Sequence, residues 1–376
     1  MATTSGEYVI PRSARGDDAG REAPIIVQVY GQTDVGLTRE HNEDAFLVAN
    51  LSTGAHLEFS RTVEQPADEM GTLFMVADGM GGAAAGEIAS ATAVDVVLRH
   101  LREGLSQVPE VTPAILVAQL NEAAEVANWS IFRYAASHPE LRGMGTTATI
   151  AALLGDTLYL AQVGDSRAYL VRDGLAIQLT KDQSLMQKLI EAGELTEEEA
   201  AQSERRNIIL QALGPEPVVK LDLTHQRVRR GDVLILCSDG LTGLVKPEEI
   251  AAVVSEELDL SAACDRLIRL ANDQGGPDNV TVIAARFEGS GLEEAQGSDI
   301  VGHRVFPQGE ASTEELALAT TAPMPAVPRG PAPPVELPAD AAEPDAARRQ
   351  RAELYKRLIA AAGAVLLVLL VWRMLT

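Results

Sequence analysis

Cysteine is scarce in this sequence, which excludes a disulfide scaffold. Only Cys237, within the apolar run VLILCSDG, and Cys264, in the helix-like segment SAACDRLIRLA, are present. The first residues do not resemble a secretory signal. Two scattered cysteines in such a chain are typical of reduced core residues in a cytosolic domain, so we expect neither a disulfide bridge nor a cysteine metal site.

Positive charge is also scarce. The chain has 31 Lys and Arg against 54 Asp and Glu, which gives a formal net charge of -23. Nucleic-acid binding depends on a basic surface that neutralises phosphates, so the composition argues against a nucleic-acid partner. The sequence also lacks a glycine-rich phosphate loop that ends in Lys-Ser or Lys-Thr. Any phosphate that the protein handles must therefore be bound locally, through a cation or a few well-placed arginines.

The composition changes along the chain and predicts four segments. Residues 1–24 are polar without periodicity and predict a mobile leader. Residues 25–288 alternate strand-like and helix-like stretches without a repeat, which predicts one folded domain. Residues 289–350 are rich in proline, alanine and acids, which predicts a disordered linker. Residues 351–376 combine a basic flank with an apolar run, and we expect a single transmembrane helix there.

The apolar run at residues 358–372 contains no polar side chain and therefore has no amphipathic face. It is short for a membrane span, which needs about 17 residues, but Arg373 can reach the interface while the last residues lengthen the helix. A buried core helix and a self-association helix are the alternatives, and the preceding linker disfavours the first. By the positive-inside rule, the basic residues before the run keep the large domain in the cytoplasm: Arg348, Arg349, Arg351, Lys356 and Arg357.

Five aspartates lie where predicted strands end or begin. Asp78, Asp165 and Asp239 each follow an apolar strand and precede a small residue. Asp44 and Asp278 each come just before a strand. In antiparallel sheets the ends of some strands lie beside the starts of their neighbours, so we expect all five carboxylates at one edge of the sheets. A helix cap or a turn is the alternative for any single aspartate, but it does not explain five repeats.

A cluster of five carboxylates needs cations, because like charges disfavour the ionised form. Oxygen ligands without histidine or thiolate select Mg²⁺ or Mn²⁺ rather than zinc. After the first strand-end aspartate, Gly79, Gly81 and Gly82 allow backbone carbonyls to approach a cation. Arg39, five residues before Asp44, can reach the same edge and bind a phosphate there, although a solvated surface arginine is the alternative. The pattern predicts metal-dependent hydrolysis of a phosphate ester.

Eight blocks of sequence resemble a known enzyme family. In order, between about residues 27 and 287, they are DVGLTREHNEDA, VADGMGGAAAGE, GMGTTATIAAL, VGDSRAYL, LTKDQSL, QALG, LCSDGL and GGPDNVTVI. Together they resemble the metal-dependent serine/threonine protein phosphatases of type 2C, in particular the bacterial branch. The resemblance implies an α+β fold, a sandwich of two antiparallel β-sheets flanked by α-helices on both sides, with the metals at one end.

The resemblance also implies a ligand set for two core ions, Mn²⁺ or Mg²⁺. Asp78 would bridge the two ions, and Gly79 would contribute its backbone carbonyl. Asp239 and Asp278 would complete the first ion. Glu43 and Asp44 would hold the second, partly through waters.

The same resemblance implies a third, weaker ion and a substrate site. Asp165 and Asp239 would form the third metal site, and Arg39 would bind the substrate phosphate. Residues between Asp182 and Arg206 correspond to the variable flap that influences substrate choice. The sequence has Met80 where eukaryotic members have a histidine proposed as the general acid, and His41 has no assigned role.

The implied function is hydrolysis of phosphoserine and phosphothreonine in proteins by attack of a metal-bridged water. With the predicted anchor, the enzyme would be tethered to the cytoplasmic face of the membrane and would oppose a serine/threonine kinase there, because tethering raises local concentration. One alternative is a catalytically weak, regulatory pseudophosphatase, which the presence of Asp78, Asp239 and Asp278 disfavours. The other is a phosphatase of an anti-sigma-factor antagonist, and the absence of an appended sensor domain is weak evidence against it.

Overall fold

Two stacked antiparallel sheets form the centre of the fold. The computed structural model describes residues 24–203 and 205–307, which lie in one compact unit. The first sheet has six strands in the spatial order β10 (Leu175–Gln178), β9 (Arg167–Arg172), β12 (Val233–Cys237), β13 (Val280–Glu288), β1 (Ile26–Asp34) and β3 (Val63–Pro66). The second has five, in the order β11 (Asp222–Arg227), β8 (Thr157–Val163), β7 (Ala148–Leu154), β4 (Thr72–Ala77) and β2 (Ala45–Asn50).

Helices cover the outer faces of both sheets. Two long helices pack on the second sheet, α1 (Ala83–Leu105) and α2 (Pro113–Ser137). Two helices pack on the first sheet, α6 (Pro247–Glu256) and α7 (Leu260–Asp273). The remaining elements are short: β5 (Gly79–Met80), β6 (Gly145–Thr146), a 3₁₀ turn (Pro139–Leu141), α3 (Leu185–Glu191), α4 (Glu197–Ala201) and α5 (Asp239–Thr242). The four layers confirm the predicted α+β fold.

Strand β4 shows why an apolar run leads into the first aspartate of the cluster. Leu73 and Met75 face the core under α1 and α2, whereas Phe74 and Val76 lie between the two sheets. Both faces of β4 are therefore buried, and the strand is apolar throughout instead of alternating. The next residue, Asp78, lies at the point where the strand leaves the layers.

Both cysteines are core residues, as the sequence predicts. Cys237 and Cys264 are free and fully buried. Burial raises the pKa of Cys237 to about 12 and also raises that of Cys264. Neither thiol is therefore a reactive thiolate near neutral pH.

The packed domain extends beyond the predicted boundary at residue 288. Residues 289–307, here called the C-terminal strap, return along the edge strand β11. The Phe306 N–H donates to the Leu223 carbonyl at 2.8 Å, and the Phe306 ring meets Tyr159 edge-on at 5.9 Å. Leu292 is 2% exposed. The prediction that the linker begins at residue 289 is therefore wrong, because these residues bury apolar side chains and pair with a strand edge.

Parts of the remaining predicted segments lie outside the described residues. These are the leader up to residue 23, the linker from residue 308 and the basic, apolar C-terminal segment 351–376. Within residues 24–203 and 205–307, no helix has both the length and the apolar character to cross a membrane.

Candidate metal centre and active site

The structure brings the five strand-end aspartates to one end of the sandwich. The register pairs Ala45 of β2 with Ala77 of β4, which puts the preceding Asp44 beside the following Asp78. Strand β8 runs toward the same end and leads into Asp165. Antiparallel pairing of β12 with β13 aligns Cys237 with Val282, so the end of one strand lies next to the start of the other. Asp239 and Asp278, which flank these two strand ends, therefore join the cluster.

Four of the five side chains have raised pKa values, which reflects their burial and their proximity to one another. Burial raises the pKa of Asp78 well above its usual value, and the charges of the other four aspartates raise it further. Burial and the charge of Asp239 raise the pKa of Asp44 to about 7. The same two causes raise the pKa of Asp165 to about 7. The pKa of Asp239 is raised by burial and then by Asp278. Burial and mutual repulsion thus outweigh the nearby positive charges of Arg167 and Arg39 in these carboxylates.

The donor set of this end fits hard divalent cations. The donors are all oxygens, and Asp165 Oδ1 is buried without a hydrogen-bond partner. A Cβ at Gly79 would come within 2.3 Å of the Gly86 carbonyl oxygen and 2.4 Å of the Glu43 carbonyl oxygen, so only glycine allows this close approach. No three His, Cys, Asp or Glu side chains of the described residues form a ready metal-binding group. Ions such as Mg²⁺ keep several waters, so the site needs fewer direct protein ligands at each ion.

Asp44 is held in place by two hydroxyl groups that the sequence analysis missed. Its Oδ2 atom accepts hydrogen bonds from Ser238 Oγ at 2.8 Å and from Thr281 Oγ1 at 2.6 Å. Ser238 Oγ also accepts from the Thr281 N–H at 3.0 Å. Both residues stand within the motif blocks LCSDGL and GGPDNVTVI, next to Asp239 or three residues after Asp278. Their neighbours in sequence were the available signal.

Glu43 lies beside the aspartates but against the start of α1. It is 8% exposed, and burial raises its pKa. Its carboxylate occupies the space next to Gly86, where a Cβ would come within 2.0 Å of Glu43 Oε2. Ser90 Oγ donates to the Glu43 carbonyl at 2.6 Å. Helix α1 thus fixes the backbone of Glu43, and the next residue along that backbone is Asp44 of the cluster.

Arg39 reaches the carboxylate cluster from a surface loop. Its Nη2 atom lies 2.7 Å from Asp278 Oδ2, and its side chain remains 48% exposed. The hydrogen bond to Asp278 raises the pKa of the guanidinium. Arg39 is therefore a partly solvated surface arginine that also contacts the carboxylate cluster. The exposed part of the guanidinium can meet an anion that arrives from solvent.

Asn279 fixes the loop that carries Arg39, and sequence analysis did not single it out. It is 4% exposed. Its Nδ2 atom donates to the carbonyls of Val35 at 2.9 Å and His41 at 3.0 Å. Its Oδ1 atom accepts from the Glu43 N–H at 2.8 Å. One buried amide therefore attaches both ends of the loop to the start of β13, next to Asp278.

The flap predicted between Asp182 and Arg206 contains α3 and α4. Its first residue, Asp182, forms a bidentate ion pair with Arg167, whose Nη2 and Nε atoms lie 2.6 Å and 2.9 Å from the carboxylate. The next residue, Gln183, donates its N–H to the Gly164 carbonyl at 2.8 Å. The start of the flap is therefore attached to the turn that carries Asp165. Met80, which occupies the position of the histidine in eukaryotic members, lies in β5 and pairs with Gly145 of β6.

Comparisons with known proteins cover this same region. Residues 64–279, which include four of the five clustered aspartates, match the family model described as Protein phosphatase 2C. The chain is 37% identical over 257 residues to "Serine/threonine phosphatase stp" of Listeria innocua, with 67% of this chain and 92% of that protein covered.

Two solved structures are similar to this chain. The Mycobacterium tuberculosis serine/threonine phosphatase PstP/Ppp has a TM-score of 0.58 and 36% identity, over 70% of this chain and 99% of that chain. The catalytic domain of PstP in complex with two manganese ions has a TM-score of 0.57 and 35% identity, over 70% of this chain and 99% of that chain.

Proposed function

The chain belongs to the protein phosphatase 2C family and is a metal-dependent serine/threonine protein phosphatase, and we propose that it acts on phosphorylated proteins at the cytoplasmic face of a membrane. The family uses Mn²⁺ or Mg²⁺. The observation that carries the site assignment is the meeting of five aspartates around Asp78, with Arg39 as the cation that pairs with the cluster at Asp278.

Two core ions and a third, weaker one would be held by this cluster. Asp78 and the Gly79 carbonyl would hold the core ions, and Asp239 and Asp278 would complete the first. Glu43 and Asp44 would hold the second. Asp165 would hold the third together with Asp239. When bound, such ions supply the positive charge that activates water and stabilises the phosphate in the transition state.

The protein's own residues orient the substrate and the ligands. Arg39 binds the phosphate through its exposed guanidinium, and exchanges its contact with Asp278 for one with phosphate oxygens. Ser238 and Thr281 hold Asp44 in one orientation. Asn279 keeps the Arg39 loop against the cluster. Fixed donors and acceptors lower the reorganisation needed during reaction, which is the main way in which such sites accelerate phosphoryl transfer.

The membrane part of the proposal is supported by the sequence of the C-terminal segment. Residues 358–372 are apolar, and basic residues precede them. A long proline-rich connection would let the domain search the membrane surface, where a tethered enzyme meets a tethered partner at high effective concentration. A membrane-bound serine/threonine kinase of the same cell is the partner that this arrangement favours.

The enzymatic proposal is tested with the full chain in detergent. A phosphothreonine peptide is offered with Mn²⁺, with Mg²⁺ and with chelator, beside the variants Asp239→Ala and Arg39→Ala. We expect metal-dependent phosphate release that disappears in Asp239→Ala. Arg39→Ala should raise the KM for the peptide more than it weakens Mn²⁺ binding measured by calorimetry. Folded protein that releases no phosphate with either ion would instead favour a pseudophosphatase.

The membrane proposal is tested separately by fractionation. The full chain should sediment with membranes, and a chain that lacks residues 351–376 should stay in the supernatant with unchanged turnover of p-nitrophenyl phosphate. A full-length protein found in the supernatant would contradict the anchor without affecting the assignment of the site.

A further inference from the structure

Four exposed apolar side chains lie in two short loops that flank the carboxylate cluster. They form what we call the apolar rim: Val35 (37% exposed), Leu37 (68%), Ile208 (43%) and Leu210 (46%). Single exposed apolar residues are common on protein surfaces. A pair on each side of one site is a more specific arrangement, because both pairs can contact a ligand that crosses the site.

The first pair is fixed beside Arg39. The Leu37 N–H donates to the Gly276 carbonyl at 2.8 Å, and Asn279 Nδ2 holds the Val35 carbonyl at 2.9 Å. The backbone of Gly36 lies against Asp278, whose carbonyl oxygen would be 2.2 Å from an added Cβ. Leu37 is two positions before Arg39 in the chain, so their Cα atoms are at most about 7.6 Å apart. Leu37 therefore stays within reach of a peptide whose phosphate is bound by Arg39.

The second pair is fixed on the Asp165 side. The Leu185 N–H donates to the Ile208 carbonyl at 2.9 Å, and the Leu210 N–H donates to the Gln183 carbonyl at 2.7 Å. Gln183 is itself bound to Gly164, the residue before Asp165: its N–H donates to the Gly164 carbonyl at 2.8 Å. Its Oε1 atom accepts from the Gly164 N–H at 3.2 Å. This loop is therefore two hydrogen-bonded steps, on the order of 10 Å, from the turn that carries Asp165.

These positions point to a peptide-binding function. Both loops are fixed by backbone hydrogen bonds, so the exposed side chains are held ready and little conformational entropy is lost when a ligand covers them. Burial of apolar surface stabilises a complex by roughly 25 cal/mol per Å². An extended peptide advances about 3.3–3.6 Å per residue, so residues two or three positions from the phosphorylated one would lie over the two pairs.

We propose that the apolar rim binds apolar side chains on both sides of the phosphorylated residue, and so selects phosphoprotein segments with an apolar residue two or three positions before and after it. This inference rests on the proposed roles of Arg39 and the aspartates in the active site. It adds a preference among phosphoproteins that the chemistry at the metals does not provide. Arg39 and the cations that the acidic cluster would hold recognise the phosphate, and the rim recognises its neighbours.

The test uses two phosphothreonine peptides that differ only at positions two residues before and two residues after the phosphothreonine. One carries leucine at both positions and the other serine. With the full chain and Mn²⁺, we expect kcat/KM to be at least tenfold higher for the leucine peptide. Leu37→Ser and Leu210→Ser should each reduce this ratio several-fold, mainly through KM.

Two controls separate the rim from the catalytic centre and from general surface effects. Hydrolysis of p-nitrophenyl phosphate, which has no flanking residues, should be unchanged in both variants. Leu258→Ser removes an 83% exposed leucine between α6 and α7 and should leave the peptide ratio unchanged. Melting temperatures of all variants should remain within a few degrees of the wild type.

The outcomes distinguish this inference from the proposed function. Equal kcat/KM for the two peptides, or a leucine preference that persists in both rim variants, would overturn the inference while leaving the phosphatase intact. Release of phosphate from p-nitrophenyl phosphate but from neither peptide would count against both the inference and the proposed action on proteins.

Discussion

The two ends of the sandwich contain the same kinds of charged residue in opposite arrangements. At one end, five aspartates face each other, and within the described part of the chain only Arg39 forms an ion pair with them. At the other end, where β9 closes and β8 begins, carboxylates are matched with arginines. Arg172 lies 2.5 Å from Asp232, Arg227 lies 2.6 Å from Asp156, and Arg229 contacts two further carboxylates. The strap supplies both of those carboxylates.

The difference separates residues that stabilise the fold from residues that are available for chemistry. A buried carboxylate paired with an arginine can stay ionised, because the cation compensates for lost hydration. Carboxylates that face each other have no such compensation, and the free energy they cost must be offset by packing elsewhere or by a bound cation. Without bound metal, removing a carboxylate from the cluster should therefore leave the folded state equally or more stable. Removing one at the paired end should destabilise it.

The largest effect is expected from Asp78→Asn at the carboxylate end. We expect kcat on p-nitrophenyl phosphate with Mn²⁺ to fall by at least about 10⁴-fold, or roughly 5.4 kcal/mol in the barrier. The substitution keeps the shape of the side chain but removes the charge surrounded by all four other aspartates. Measured with chelator, the melting temperature should be unchanged or higher, because the variant lacks a repelled buried charge.

The same melting experiment, repeated at two pH values, tests whether repulsion between ionised carboxylates causes this change in stability. A carboxyl pKa that is higher in the folded than in the unfolded state destabilises the folded state as pH rises through that range. Asp44 and Asp165, each with a pKa of about 7, belong to this class. The stability gained by Asp78→Asn in chelator should therefore be larger at pH 7.5 than at pH 5. A variant that keeps activity within tenfold of the wild type would contradict the central role of Asp78.

The sequence predicted the carboxylate end better than the rest of the site. Apolar strands that end or begin at an aspartate form a local pattern, and antiparallel pairing converts it into a cluster. Ser238, Thr281 and Asn279 were not predicted, because their roles depend on which oxygen they face across strands. A serine or asparagine of this kind has no period or charge to distinguish it from a residue in a turn.

The ion pairs and the ordered strap at the opposite end could not be predicted from the sequence. Arg172 and Asp232 are separated by many residues and meet only because β9 pairs with β12. The strap has a polar, glycine-containing sequence that resembles the linker after it, so composition alone predicted disorder from residue 289. Its order comes from a few tertiary contacts, including Phe306 on Tyr159 and the ion pairs of Arg229.

A large loss of stability without loss of chemistry is expected from Asp232→Asn at the paired end. Arg172 and Asp232 have side-chain exposures of 6% and 1%, so the substitution leaves a buried guanidinium without its counter-ion. We expect the free energy of unfolding in urea to fall by about 3–5 kcal/mol. The value of kcat on p-nitrophenyl phosphate should stay within twofold of the wild type under conditions where the variant is folded.

The matched control for this variant is Asp156→Asn. Asp156 pairs with Arg227, but the side chains are 32% and 55% exposed, so solvent screens the pair. The free energy of unfolding should change by less than about 1 kcal/mol. Equal losses in the two variants would mean that exposure does not decide the strength of pairing at this end.

The most direct comparison of the two ends, with an effect smaller than those of Asp78→Asn and Asp232→Asn, comes from adding Mn²⁺ to the folded protein. A cation that binds only the folded state stabilises it by about 2.7 kcal/mol at 100 times its dissociation constant. Mn²⁺ should therefore raise the melting temperature of the wild type, and most of this increase should be lost in Asp239→Asn. In Asp232→Asn the increase should equal that of the wild type, because the seven residues of β8 separate the ends by about 23 Å and distant sites contribute additively. An undiminished increase in Asp239→Asn would place the main cation site elsewhere, and a reduced one in Asp232→Asn would show that the paired end supports the geometry of the carboxylates.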